Sequence, residues 1–188
     1  MRRGQLRLRQ ARGRPAEAIH PFTDGNGRTG RILNLLFLVE QNLLSAPVLN
    51  LSGAIIRRKS DYYRRLLAVT TEAAWEPWLL FMLDAVTTTA QWTTAMTREI
   101  RAMLDSTAAT VRAKAPGLYS RELVELLFVQ PYCRIGNVVD AHIAQRQTAA
   151  EYLKRLCKIG VLEEVRAGRQ KLFINPPLVR LLTTGREP

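Results

Sequence analysis

Apolar residues recur every three or four positions along most of the chain, and this spacing predicts helices rather than strands. The run from Arg28 to Leu44 is apolar on most faces after its first turn, which predicts a buried helix. Helical spacing returns over residues 53–70, and again from Trp75 to about Ala113. Pro77 fits the first turn of that last helix, where a missing N–H costs nothing. The first two thirds of the chain should therefore fold as packed helices.

The pattern changes after residue 114, where the segment KAPGLYS interrupts the helical spacing and predicts a domain boundary. Helices are predicted over residues 120–129, 134–143 and 146–160, followed by two short strands on either side of the turn at 166–169. Three helices followed by a hairpin is the order of a winged helix. The predicted fold class is therefore mainly α, with a small domain of this type at the end.

The charge of the chain is uneven. The formal net charge is +12, and half of it comes from the six arginines and no acid of residues 1–14. Gly and Pro interrupt this segment, so residues 1–16 are interpreted as a basic arm outside the fold. An arm that binds nucleic acid is the alternative, and it rests on charge alone.

The location of the protein is constrained by what the sequence lacks. The longest apolar run is broken by polar residues at 34 and 40–42, so no membrane span is predicted. Cys133 and Cys157 form no CxxC pair, and nothing indicates secretion. We expect a cytoplasmic protein.

The string HPFTDGNGRTGR, residues 20–31, stands where a loop turns into the first helix. Gly25 and Gly27 permit a tight turn and the close approach of a ligand to the backbone. The unpaired N–H groups of the first helical turn form an anion site together with the helix dipole. Arg28 and Arg31 lie three residues apart, on one helical face, where both can reach phosphate oxygens. The segment therefore predicts a phosphate cradle.

Two further side chains add chemistry to this cradle. Asp24 is a hard oxygen ligand that suits Mg²⁺ carried in on phosphates. His20 can accept a proton at neutral pH. Each piece alone has a common structural explanation, such as a turn or a solvated helix face, and the combination is what points to function.

At every defined position this string resembles the signature of the Fic family, His-Pro-Phe-x-Asp-Gly-Asn-Gly-Arg-x-x-Arg. The resemblance continues in ILNLLFLV, DYYRRLL and WEPWLLFMLDAV, and in the winged-helix tail. It implies a Fic domain over residues 17–115 and a winged-helix domain over 118–183. It also implies a protein adenylyltransferase, which transfers AMP from ATP to a Tyr, Thr or Ser hydroxyl of a target protein.

The resemblance assigns roles to individual residues. His20 would be the general base, Asp24 would hold Mg²⁺, and Phe22 would anchor the loop in the core. The nucleotide-binding residues that it implies are Gly25, Asn26, Gly27, Arg28, Thr29, Gly30 and Arg31.

Other positions bear on the reaction and on the nucleotide. Phosphotransferring relatives carry Lys where this chain has Gly27, so Gly27 favours AMP transfer. Tyr62 and Tyr63 resemble a pair that lies near the adenosine in relatives. They are equally well explained as core aromatic residues at helical spacing.

The chain departs from the family upstream of the motif. Relatives have several helices and a β-hairpin flap there, whereas only 19 residues precede His20. The sequence thus resembles the C-terminal part of a longer Fic protein. We expect one side of ILNLLFLV to be uncovered, which would favour self-association and give weak or no activity.

The alternative function is a winged-helix module that binds DNA or protein beside a vestigial Fic motif. Helix 146–160 would then read DNA, with Arg146, Gln147, Lys154 and Arg155 facing phosphates and base edges. Residues 118–188 carry eleven basic and seven acidic side chains, which is no strong basic stripe and favours protein contact over DNA.

Overall fold

The computed structural model describes residues 22–168 and 170–184, so the basic arm and His20 lie outside the described residues. The described residues form a mainly α fold with one small antiparallel sheet, as the sequence predicts. Its elements are α1 (Asn26–Glu40), α2 (Leu51–Arg57), α3 (Lys59–Glu72), α4 (Trp75–Lys114), a 3₁₀ turn (Pro116–Leu118), α5 (Arg121–Val129), β1 (Tyr132–Cys133), α6 (Ile135–Asp140), α7 (Arg146–Lys158), β2 (Glu163–Ala167), β3 (Gln170–Ile174) and α8 (Pro176–Thr184).

The described chain divides into two compact units, residues 22–93 and 94–184. The division falls within α4, whereas the sequence predicts a boundary after this helix. Val111 and Ala115, at the end of α4 and just beyond it, are buried in the core of the second unit. The last turns of the helix therefore belong to the C-terminal unit. Although α4 has 40 residues, neither it nor another helix of the described chain is long and apolar enough to cross a membrane.

An aromatic cluster forms the core of the first unit. The ring of Tyr62 packs against those of Trp78 and Phe81, with ring centroids 5.1 and 6.2 Å away. The guanidinium of Arg58 covers Phe81 at 4.7 Å from the ring centroid. Such edge and tilted ring contacts add to the free energy of burial. The cluster joins α3 to α4.

Two expectations for the first unit are corrected. The predicted helix over 53–70 is two helices, because the chain bends at Arg58, where φ is −113°. The helix expected to be buried, α1, exposes a row of large apolar side chains, each 47–58% accessible. Those residues are Ile32, Leu33, Leu36 and Phe37. The prediction of an uncovered side is thus confirmed for the described residues, and the prediction of a buried helix is wrong for this face.

The second unit follows the predicted order of three helices and a hairpin, with one added strand. β1 pairs with β3, which pairs with β2, and all pairs are antiparallel. Ser120 caps α5, its hydroxyl accepting the N–H of Leu123 at 3.1 Å. This helix–strand–helix–helix–hairpin order is typical of a winged helix.

The sequence analysis did not predict α8, because it begins with two prolines. Pro lacks the N–H that the first helical turn leaves unpaired in any case, so this position tolerates it. The preceding Asn175 is buried, and its side-chain oxygen accepts the N–H of Leu178 at 3.3 Å. Its backbone N–H donates to the carbonyl of Pro131 at 3.0 Å. Asn175 therefore both starts the helix and fixes it to the segment before β1.

Candidate active site

The backbone reverses its handedness at the start of α1. Gly25 has φ +82°, in the left-handed region, and the residues after it are helical. The carbonyl of Gly25 accepts the N–H of Thr29 at 2.9 Å, which closes the first turn. A left-handed residue before right-handed ones turns successive N–H groups toward the same side and creates an anion-binding concavity. The 15-residue helix adds its positive end to this concavity.

The side chain of Asn26 closes the loop on itself. Its Oδ1 accepts the N–H of Phe22 at 2.9 Å, and its Nδ2 donates to the Phe22 carbonyl at 2.7 Å. Asn26 is buried, while the Phe22 side chain is 54% exposed. The expectation that the Phe22 ring anchors the loop is therefore wrong: the Phe22 backbone is held instead, by Asn26.

Asp24 and Arg28 form an exposed ion pair at the mouth of the cradle. Arg28 Nη2 lies 3.1 Å from Asp24 Oδ2, and the two side chains are 73% and 90% exposed. The other carboxylate oxygen accepts the Gly25 N–H at 2.6 Å. Exposed pairs of this kind contribute little to stability, so both partners can exchange for a ligand at small cost.

Arg31 is held more firmly, on the same helix one turn further along. Its Nε donates to the hydroxyl of Ser52 on α2 at 2.9 Å. A Cβ placed on Gly27 would lie 3.2 Å from Arg31 Nη1, so a side chain there would displace the guanidinium by a few tenths of an ångström. Arg28, Arg31 and residues 49–52 line a cavity of about 230 Å³ beside the start of α1.

The remaining predicted positions differ in accessibility. Thr29 and Gly30 continue α1, and Gly30 is buried, so Thr29 is the more accessible of the two. Tyr62 is only 2% exposed, inside the aromatic cluster, which leaves its ring little surface for a ligand. Tyr63 is 55% exposed, with its ring centroid 5.3 Å from that of Tyr62. The described residues favour the core explanation for Tyr62 and leave Tyr63 as the accessible member of the pair.

The site has the donor set for a metal ion that arrives on phosphates. No cluster of three or more His, Cys, Asp or Glu is present among residues 22–168 and 170–184. Asp24 supplies one exposed carboxylate beside the anion concavity. Mg²⁺ commonly takes one or two protein carboxylates and completes its octahedron with phosphate oxygens and water, so the residues present fit that ion.

Sequence reasoning missed a groove in the second unit. It has a volume of about 640 Å³ and lies along α4 and α5. Arg112 stacks over Tyr119 at its edge, 4.3 Å from the ring centroid, and Arg121 pairs with Glu125 at 2.6 Å. No motif marks this groove, since its lining comes from the ordinary helical spacing of two neighbouring helices.

Comparison with known families agrees with both halves of this description. Residues 15–38 match the Fic/DOC family, and this match includes the whole motif. Residues 103–178 match the C-terminal domain of SoFic-like protein adenylyltransferases, which takes in the end of α4 and the sheet. The two matches fall in different units and name related proteins. The chain therefore carries a segment similar to the Fic/DOC family and a C-terminal segment similar to the C-terminal domain of SoFic-like protein adenylyltransferases.

Proposed function

We propose that this protein is a protein adenylyltransferase that transfers AMP from ATP to a Tyr, Thr or Ser hydroxyl of a target protein. The observation that supports it most is the start of α1. Gly25 is left-handed there, the first helical N–H groups follow it, and Arg28 and Arg31 line a cavity beside the same helix, a combination that suits an anion. Both family matches point to the same class of reaction.

In the proposed reaction the target hydroxyl attacks the α-phosphorus of ATP. A new P–O bond forms to the target, the bond between the α-phosphorus and the bridging oxygen breaks, and pyrophosphate leaves. His20 takes the hydroxyl proton as general base. The Gly27 N–H would face the α-phosphate, joined by the Gly25 N–H once that group exchanges the Asp24 carboxylate for the ligand, and Arg28 and Arg31 would bind the β/γ end, where leaving-group charge grows.

Asp24 is the residue that would hold Mg²⁺ in this scheme. The ion would neutralise phosphate charge and fix the conformation of the triphosphate. Asp24 would leave Arg28 to hold the ion, and Arg28 would then be available to the phosphates. Because both side chains of the Asp24–Arg28 pair are largely exposed to solvent, breaking the pair costs little.

The test uses two radiolabelled forms of ATP with the purified chain, Mg²⁺ and cell lysate. AMP transfer predicts label on a protein band from α-³²P-ATP and none from γ-³²P-ATP, lost in His20→Ala. Label from the γ-phosphate would indicate phosphotransfer instead. No label, together with no ATP binding, would overturn the proposal.

A second candidate function is DNA binding by the C-terminal unit, supported by the exposed side of α7. Arg146, Lys154, Arg155 and Lys158 are all exposed there, against a single exposed acid, Glu151. A helix in this position of a winged helix commonly enters the major groove. Binding to duplex DNA should weaken with salt by a slope of about −0.9 per phosphate contacted. A salt-independent interaction with protein would instead identify the unit as a protein-contact module.

A further inference from the structure

We propose that Ser52 is a positioning residue for the nucleotide, acting through Arg31. This inference rests on the proposed function, since it concerns the arginine that would bind the β/γ end of ATP. Ser52 lies outside the motif, 21 residues further along the chain, and no sequence signature marks it.

Ser52 stands on a fixed part of the backbone. It is the second residue of α2, directly after Leu51, whose side chain is 3% exposed. Asn50 caps the helix, its Oδ1 accepting the N–H of Gly53 at 3.1 Å. The buried Leu51 and the Asn50 cap together fix the backbone from which the Ser52 side chain extends. Its contact with Arg31 at 2.9 Å therefore ties the motif helix to a second, independently anchored helix.

The contact engages one edge of the guanidinium and leaves the other available. Ser52 takes the Nε–H of Arg31, and no side chain among residues 22–168 and 170–184 takes the donors on the two η nitrogens, which are therefore the ones to offer to a ligand. Gly27 has no side chain to displace Nη1, which approaches within 3.2 Å of the Cβ position. Arg31 is thus held at Nε, while its η edge rests against the first turn of α1, where the anion site lies.

The partner of Arg31 is a neutral hydroxyl, and this distinguishes it from Arg28. Arg28 pairs with the carboxylate of Asp24, which offsets its charge until the ligand arrives. A serine orients a guanidinium without neutralising it. Ser52 therefore keeps Arg31 preorganised and fully charged, which lowers the entropy lost when a triphosphate binds.

The experiment compares three chains by calorimetric titration with ATP and with AMP, each with Mg²⁺. Ser52→Ala should weaken ATP binding about three- to tenfold, the effect of losing one typical hydrogen bond. Binding of AMP should be unchanged, because AMP has no β/γ end. Ser52→Thr keeps the hydroxyl and should bind ATP as the wild type does. Equal melting temperatures of the three chains will exclude a general loss of folding.

A double-mutant cycle separates positioning from a merely structural role. In an Arg31→Ala background, Ser52→Ala should cause no further loss of ATP affinity, because the group it orients is gone. An equal loss in both backgrounds would overturn the inference, as would unchanged ATP affinity in Ser52→Ala alone. If the wild-type chain binds no ATP at all, the proposed function itself fails and takes this inference with it.

Discussion

The side-chain amide of Asn26 makes two hydrogen bonds to the backbone of Phe22, four residues earlier: it accepts the Phe22 N–H and donates to the Phe22 carbonyl. This pairing uses both ends of the amide, so the side chain that the family signature places at the phosphate supports the loop in this structure. The backbone N–H of Asn26 stays in the first turn of α1, where it contributes to the anion concavity.

Replacing Asn26 with Ala should loosen the loop and lower activity. Two hydrogen bonds of a buried amide are lost, at a cost of about 1–3 kcal/mol. Because Phe22 lies two residues after His20, we expect the rate of AMP transfer to fall more than the affinity for ATP. Steady-state kinetics at saturating ATP will measure this. Asn26→Asp keeps the acceptor, so its rate should lie between those of the wild type and Asn26→Ala. An Asn26→Ala chain with an unchanged rate would contradict this role of Asn26.

Replacing Gly27 with Ala should raise stability and weaken nucleotide binding. Gly27→Ala adds a good helix former within α1 and should raise the free energy of unfolding by up to about 1 kcal/mol. The new Cβ would crowd Arg31 Nη1 at 3.2 Å, so ATP binding should weaken.

The matched control for Gly27 is Gly25→Ala, at φ +82°. That substitution forces an L side chain into the left-handed region and should cost about 1–2 kcal/mol instead. Thermal melting and ATP titration of both variants give the comparison. Loss of stability in Gly27→Ala would show that Arg31 cannot give way.

Asp24→Asn should leave stability almost unchanged and remove the metal dependence of nucleotide binding. The Asp24–Arg28 pair is exposed, so its loss should change the free energy of unfolding by less than about 1 kcal/mol. The amide cannot replace the carboxylate as a Mg²⁺ ligand of equal strength. ATP titrations with Mg²⁺ and with EDTA should therefore differ in the wild type and coincide in the variant. A variant that retains the Mg²⁺ effect would place the ion elsewhere.

The two cysteines should react at very different rates. Burial raises the pKa of the Cys133 thiol to about 11, and burial also raises the pKa of Cys157, aided by Glu164. Cys133 is buried and Cys157 is partly exposed. At pH 8, iodoacetamide should therefore label Cys157 slowly, and Cys133 only after unfolding, as mass spectrometry of the peptides will show.

The raised pKa of Cys133 also has a stability consequence. The folded state holds the thiol proton more tightly than the unfolded chain does. The contribution of the protonated thiol to the free energy of unfolding is therefore complete below pH 9 and is lost as the pH rises toward 11. The stability of the C-terminal unit should fall over this range, and less so in Cys133→Ala. Equal slopes in the two chains would contradict the assignment.

The exposed apolar face of α1 should make the protein self-associate. Large apolar side chains grouped on one helix face normally find a partner. Leu36→Gln together with Phe37→Gln should lower the apparent mass at high concentration in light scattering, with little effect on melting temperature, because both side chains are about half exposed. A wild-type chain that stays monomeric at every concentration would contradict this.

The sequence predicted local structure better than contacts between distant segments. The 3.6-residue period located α4 to α7, and the glycines of the motif located the turn at Gly25. The break at Arg58 carries no Gly or Pro, so periodicity alone joined α2 to α3.

In the candidate site too, the sequence predicted relationships within one helix and missed contacts that depend on packing. The spacing of Arg28 and Arg31 indicated their shared face. The Ser52–Arg31 bond joins residues 21 positions apart, and a pair of this kind depends on how two helices pack. The two hydrogen bonds between Asn26 and Phe22 were equally hard to predict from the sequence, because Asn in such a motif suggests a ligand contact as readily as a contact within the loop.

Because the boundary between the two units lies inside α4, the C-terminal unit can be moved to another protein only together with the end of that helix. A fragment cut at the visible loop, before Pro116, would leave Val111 and Ala115 behind and open a hole in the middle of the C-terminal core. To graft this module onto another protein, one must carry the preceding helical turns with it. The C-terminal unit should therefore be fused through α4, as a continuous helix joined in register to a helix of the host protein. A flexible linker in place of these turns would not restore the buried side chains.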